Sequence, residues 1–347
     1  MRKKKTTTTT KFRIATDHDK DYVLDFCKNT FSWGDYIDRV WDIWITEPNS
    51  IFLVAVNVNE NKIEKPIAIS HGILLPEKII WIEGIRVDPE YRSHKLATNM
   101  SLHILDYARK NGAVYSSAIV SISNEKSKGL MEKLGFKVIS TWSYLSIKPI
   151  VLPELNNNFI TDNNSSSSSI KVANLEEYQS VLNYLNQSTI FKASGKKFVN
   201  SWRWYDLTED ILKMMINNRQ VIILVNNDLH ENNNYNKKKG KEKKTEVRGI
   251  AIIDEEGYWN NQNILQFVYI DADSDELLLS IVNKSLELII LKENNKIDHK
   301  KKKYFENNKY ERVQIFSPFP IKKNSSLIFQ KFNVNFSEQF LLYHKEI

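Results

Sequence analysis

A mixed α/β fold, with a mostly antiparallel sheet flanked by helices, is predicted twice along this 347-residue chain. Three observations predict it. Apolar runs at 50–58, 66–75 and 78–87, joined by short polar segments, read as an antiparallel meander. The third run passes through a short loop into a long amphipathic helix and then a strand at 115–121, a crossover that lays the new strand parallel to 78–87. Beyond a Pro-, Asn- and Ser-rich stretch, the same order of elements recurs in a more worn form.

The elements of the first half follow in order. Residues 1–10, a basic and Thr-rich run, read as disordered, and 12–16 as a first strand. A helix over 19–29 groups Tyr22, Val23, Phe26 and Cys27, and a second over 32–46 carries Trp33, Tyr36, Ile37, Val40, Trp41 and Trp44. Val40, Trp41 and Trp44 are expected in the core. The strand at 78–87 is interrupted by Gly84, which marks a bulge or a close backbone approach. The helix that begins near Leu96 places Leu96, Met100, Ile104 and Tyr107 on one stripe and stops at Lys110-Asn111-Gly112. A strand that feeds a loop and then a helix N-terminus offers unpaired N–H groups and a positive dipole end, a place to hold a pyrophosphate. A helix led by Asn124, a Gly135-Phe136 turn and a strand at 142–147 complete the half.

Composition shifts mark the boundaries: a domain at 11–149, a linker at 150–169 with five consecutive Ser, and a second domain at 170–347. In the second half 221–225, 247–253 and 263–271 match the meander, 274–291 the long helix, 312–317 the parallel strand and 339–344 the last strand. The segment 326–334 runs alongside 129–137. Where the first half has its loop, the second has Asp271, Asp273, Asp275 and Glu276, whose charges would repel a pyrophosphate.

A single cysteine, Cys27, excludes an intrachain disulfide framework, and no His/Cys cluster suggests a metal. The net charge of +7 resides in runs at 2–5, 237–244 and 300–303, which lack apolar periodicity and interleaved aromatics; solvated loops explain them better than nucleic-acid binding. No apolar run is long enough to span a bilayer, and 1–10 lacks the apolar core of a signal peptide. A soluble, cytoplasmic protein is expected.

Residues 92–97, Arg-Ser-His-Lys-Leu-Ala, resemble the (Q/R)-x-x-G-x-(G/A) loop of the GNAT N-acetyltransferases, and 124–136 resembles that family's second signature, N-x-x-A/S-x-x-L-Y-x-x-x-G-F. Both stand at family-like spacing within 12–148. The resemblance implies a GNAT-type sheet followed by a degenerate GNAT-like domain, and acetyl-CoA as co-substrate without a metal. It assigns Ile85, Arg86, Val87, Arg92, Ser93, His94, Lys95, Leu96, Ala97, Asn124 and Ser127 to the cofactor. Two departures stand out. Lys95 occupies the usual Gly position, where its Cβ obstructs close approach of backbone to phosphate; its charge either compensates or is simply solvated. Met131 stands where many members carry a Tyr that reprotonates the thiolate, leaving water, Tyr115 or Tyr144 as substitutes. The two-domain layout and the phrases at 83–87 and 339–343 resemble the histidine N-acetyltransferase-like branch, which points to a free amino acid or another small primary amine without establishing histidine.

Amide formation needs a proton acceptor for the amine and donors aimed at the oxyanion. The resemblance makes Glu83 the candidate base, directly or through a water, with structural alternatives in which it pairs with an Arg such as Arg86 or is simply exposed at the bulge. His71 is the second candidate base, its alternative being a satisfied core or edge histidine. Trp33 and Tyr36 are candidates for a wall of the acceptor pocket. Asn124 either contacts the pantetheine arm or caps its helix, and Ser127 contacts the cofactor from the first turn. Two other classes compete with the enzyme. A non-catalytic acyl-CoA-binding regulator predicts binding without turnover, and a scaffold predicts no affinity for acetyl-CoA.

Overall fold

The computed structural model describes residues 9–32, 34–147, 168–226, 246–254, 264–294, 312–318 and 334–347. The chain divides into two compact units, the first comprising 1–139 with 341–347 and the second 140–340. In chain order the first stretch contains β1 (Thr9–Ile14), α1 (Lys20–Cys27), α2 (Ile37–Trp44), β2 (Ser50–Val58), β3 (Glu64–Leu75), β4 (Ile79–Val87), α3 (Leu96–Lys110), β5 (Tyr115–Ser121), α4 (Glu125–Lys133) and β6 (Lys137–Ile147).

In the first unit β1 to β5 lie side by side in sequence order; the first four are antiparallel and β5 runs parallel to β4. This is the predicted meander with its crossover. The buried stripe of α3 is Leu96, Met100, Ile104, Leu105 and Ala108, and it packs on Leu53, Ala55, Ile80 and Ile82 of the sheet. Each large apolar side chain removed from water there stabilises the unit by roughly 2 kcal/mol. Tyr107, expected inward, is only half-buried, because the 3.6-residue period carries the inward face through Leu105 and Ala108. α3 comes close to the sheet at Gly72, where an added Cβ would lie 2.6 Å from Ile104 Cγ2.

The second helix begins at Ile37, five residues later than the pattern over 32–46 suggested. Gly34 at φ +102° and the Asp35 carboxylate, which accepts from the Tyr36 and Ile37 amides, form a turn that delays it. Trp33 lies outside the described residues.

The edge of this unit is closed by the end of the chain. Residues 341–347 lie beside β5: Ser117 Oγ is 2.8 Å from His344 Nδ1, the Tyr115 ring packs on His344, and the Ile347 amide donates to Val114. Lys345 also donates to the Leu134 carbonyl. The strand that follows α4 in sequence belongs to the second unit from Ser140 onward. Most of the 150–169 segment lies outside the described residues.

The second unit continues with β7 (Ser168–Val172), α5 (Tyr178–Gln187), α6 (Thr189–Ala193), β8 (Lys197–Asn200), β9 (Arg203–Asp206), α7 (Glu209–Asn217), β10 (Val221–Asn226), β11 (Glu246–Asp254), β12 (Ile264–Ala272), α8 (Asp275–Asn294), β13 (Arg312–Ser317) and β14 (Val334–Glu346), whose last residues are those that close the first unit. Its strand order is β7-β10-β11-β12-β13-β6, with β12 and β13 parallel and the other pairs antiparallel. That repeats the pattern of the first unit. The segment 326–334 falls outside the described residues except for Val334.

Among the acids of this stretch Asp271 is buried, with the like charge of Asp273 close enough to help raise its carboxyl. It is 2% exposed and accepts from Ser188 Oγ and from the Tyr269 hydroxyl at 3.0 Å. Burial pushes its carboxyl up from the ordinary range, against the pull of those donors. A folded-state value above the unfolded one contributes stability at low pH that is lost as pH rises through the folded value. Asp271→Asn is therefore expected to gain on the native chain in urea midpoint as pH rises above the ordinary carboxylate range. A difference that does not change with pH would contradict this.

Candidate active site

The site begins where two parallel strands part. β4 and β5 pair through Ile79–Tyr115, Ile80–Ser116 and Trp81–Ser117, and among the described residues no further pair joins them, although β4 runs on to Val87 and β5 to Ser121. The cause is a bulge in β4: Ile69 faces Arg86 and His71 faces Glu83, so Gly84 and Ile85 together oppose Ser70. Gly84 has φ +66°, a conformation that costs a residue with a Cβ about 1–2 kcal/mol. It also receives the Trp44 ring, since an added Cβ would lie 2.5 Å from Trp44 Cζ3. The bulge is there, and what comes close to Gly84 is a side-chain ring, where the alternative expectation is a backbone approach.

Beyond β4, Asp88 caps a short 3-10 turn by accepting from the Glu90 amide, and the chain enters α3 through exposed Arg92, Ser93, His94 and Lys95, then half-buried Ala97 beside buried Leu96. His94 Nδ1 lies 2.9 Å from the Arg92 carbonyl, and the Arg92 guanidinium reaches back to the Val87 carbonyl at 3.4 Å. Ser93 (φ +69°) and Lys95 (φ +60°) both adopt the left-handed conformation. The backbone thus keeps the shape that glycine would take, with a lysine in it. The first-turn amides of α3 have no intrahelical acceptors. Relieving one strained residue is worth roughly 1–2 kcal/mol, less the ~0.4–1 kcal/mol that glycine adds to unfolded-chain entropy. Lys95→Gly is accordingly expected to raise the urea midpoint slightly; a fall would place a stabilising contact on the lysine.

On the other side of the bulge the side chains form two buried ionic groups. Arg86 does not pair with Glu83. Its guanidinium grips Asp35 bidentately (Nε–Oδ2 2.7 Å, Nη2–Oδ1 3.1 Å) and stacks 5.1 Å from the Phe31 ring and 5.0 Å from the Tyr36 ring. Burial opposes its charge, yet Tyr36 and Asp35 more than offset this and hold the guanidinium above its ordinary range. Burial likewise pushes the Tyr36 phenol up. The pair pins the turn before α2 to β4. The Arg86 side chain is therefore engaged with Asp35, although the backbone of 85–87 borders the parting strands.

Glu83 instead faces His71, with Oε1 3.0 Å from Nδ1. His71 is fully buried, and Trp44 lies flat on it at 4.5 Å and 3°. Its Nε2 points toward Glu47 Oε2 at 3.5 Å. The two candidate bases are thus neighbours, and Glu47 joins them. Trp44, expected only as core, is a wall of this group. Glu47 and Asp35 were missed because they sit in turns with no periodic signal; the Glu47-Pro48-Asn49 turn after an aromatic helix was the one hint.

Asn124 is an exposed N-cap, accepting from the Ser127 amide at 3.1 Å. Met131 is buried among Leu134, Phe136 and Tyr343. Tyr115 is partly exposed and packs on His344, whereas Tyr144 lies in the second unit, where Gln314 donates to its hydroxyl.

Residues 16–136 match the acetyltransferase (GNAT) family. They form a GNAT domain. The domain is that of an acyltransferase. No curated protein matches the chain. Among solved structures, a GCN5-related N-acetyltransferase from Sphaerobacter thermophilus is similar over 97% of this chain and 95% of its own, at 10% identity and TM-score 0.55, a likeness of fold. Another GCN5-related N-acetyltransferase, from Kribbella flavida, is aligned over 98% of this chain and 71% of its own, at 12% identity and TM-score 0.42. Among the described residues no helix is long and apolar enough to cross a membrane.

Proposed function

We propose that the chain is an acetyl-CoA-dependent N-acetyltransferase that acts on the primary amine of a small molecule, amino acids among them, by direct attack on the thioester in a ternary complex. The observation that carries this reading is the parting of β4 from β5 next to a bulge whose strand bears Glu83. The opened edge of β4 at 85–87 suits an extended pantetheine arm, and the amides of 92–97 suit its diphosphate, with Arg92 and Lys95 supplying charge. The bulge amides donate to the oxyanion, Glu83 accepts the amine proton, and Tyr36 lines the acceptor side. The C–N bond forms as the C–S bond breaks. Burial pushes the Cys27 thiol up to about 12, so an acyl-cysteine route has no thiolate to start from.

The test is incubation of the purified chain with acetyl-CoA and a panel of amino acids and polyamines, read as free thiol, beside calorimetry with coenzyme A. Thiol release above the amine-free level with one class of amine is expected. Binding without release from any amine would favour a regulator, and no binding would overturn the reading.

A further inference from the structure

We propose that Glu47, His71 and Glu83 form a proton relay behind the reacting amine, with Glu47 a positioning residue that keeps His71 doubly protonated; the inference rests on the acetyltransferase reading of this site. An imidazole nitrogen and a carboxylate oxygen approach each other favourably only with a proton between them. Here Nδ1 meets Glu83 at hydrogen-bonding distance, 3.0 Å, while the buried Nε2 makes no hydrogen bond and has the Glu47 carboxylate 3.5 Å away as an ionic neighbour, so a proton on each nitrogen is what the two carboxylates favour. Trp44 stacked on one face and Phe52 edge-on at 5.8 Å hold the ring, which therefore cannot trade one carboxylate for the other. The state that satisfies both contacts is an imidazolium between two carboxylates, net charge −1.

A bound cation is the obvious competitor, since the ligand atoms of these three residues lie within 4.8 Å of one another. One ion takes one imidazole nitrogen, and each carboxylate here faces a different nitrogen. The geometry suits a relay better.

In the relay an acceptor ammonium loses a proton: its N–H bond breaks and an O–H bond forms on Glu83. The imidazolium is then left with a single counter-ion in a buried place, which is costly. Once the 3.5 Å separation from Glu47 closes to hydrogen-bonding distance, its Nε2–H bond breaks as an O–H bond forms on Glu47, leaving a neutral His71 whose remaining proton still faces Glu83. The +1 of the ammonium and the −1 of the group cancel, and no other reactant is needed. The other titratable groups nearby are Arg86 with Asp35, the Tyr36 phenol and the Cys27 thiol.

Two measurements decide. In the native chain labelled with 15N-histidine, signals of His71, identified by their loss in His71→Gln, should show both ring nitrogens protonated at neutral pH; in Glu47→Gln they should show one. With an amine active in the panel, Glu47→Gln should lower kcat by about tenfold, less than the ~10²-fold or more expected for a direct acid–base partner, and shift the acid limb of the pH profile while KM for acetyl-CoA stays put. A singly protonated His71 in the native chain, a superimposable profile, or chelator-sensitive activity restored by Zn²⁺ would overturn the relay. If no amine turns over, the acetyltransferase reading fails while the nitrogen spectra still decide the proton count.

Discussion

Gly84→Ala is expected to destabilise the first unit by about 3 kcal/mol. Two independent costs add. The φ of +66° penalises a Cβ by about 1–2 kcal/mol. The new methyl would also meet Trp44, whose Cζ3 lies 2.5 Å from its place, and Trp44 is itself trapped against His71 and Phe52. Overpacking of that kind costs about 1–3 kcal/mol. Chemical unfolding followed through the tryptophans measures the sum. The double variant Trp44→Leu with Gly84→Ala separates the terms: the steric cost should largely vanish and the backbone cost remain. A Gly84→Ala midpoint within error of the native one would mean that the bulge relaxes, and the parting of β4 from β5 would need another cause.

Glu83→Gln is expected to lower kcat/KM for the amine by about 10²–10⁴-fold, the range for loss of a positioned acid–base group, with coenzyme A affinity unchanged. The amide keeps the shape of the carboxylate and still accepts from His71 Nδ1, which lies 3.0 Å from Oε1 in the native site. What it loses is the capacity to take a proton. Steady-state kinetics across pH, beside calorimetry, check both halves. An unaltered rate would remove Glu83 from the base role, and weakened coenzyme A binding would show that the substitution disturbs the bulge.

Much of the first unit was legible because its signals are local. Apolar runs bounded by polar turns marked β2 to β5, the Leu96 stripe and the Gly112 stop marked α3, and one glycine within a β-branched strand marked the bulge. The stretch 174–217 was not legible. Its helices run only ten, five and nine residues and the β8–β9 hairpin pairs two strands of four residues, too brief to establish a period.

What the amino-acid order determined alone is therefore the succession of elements and the chemistry available on each: a bulged strand with Glu83, a loop of exposed cations, a helix N-terminus. Tertiary structure decided the partnerships. His71 meets Glu83 because the β3–β4 register sets them opposite each other, Glu47 reaches the same ring from a turn, Arg86 turns to Asp35 rather than Glu83, and residues 341–347 close the sheet beside β5. Periodicity reports which face of an element is apolar. It carries no information about which distant residue occupies the space opposite, because that is settled by the packing free energy of all the elements together.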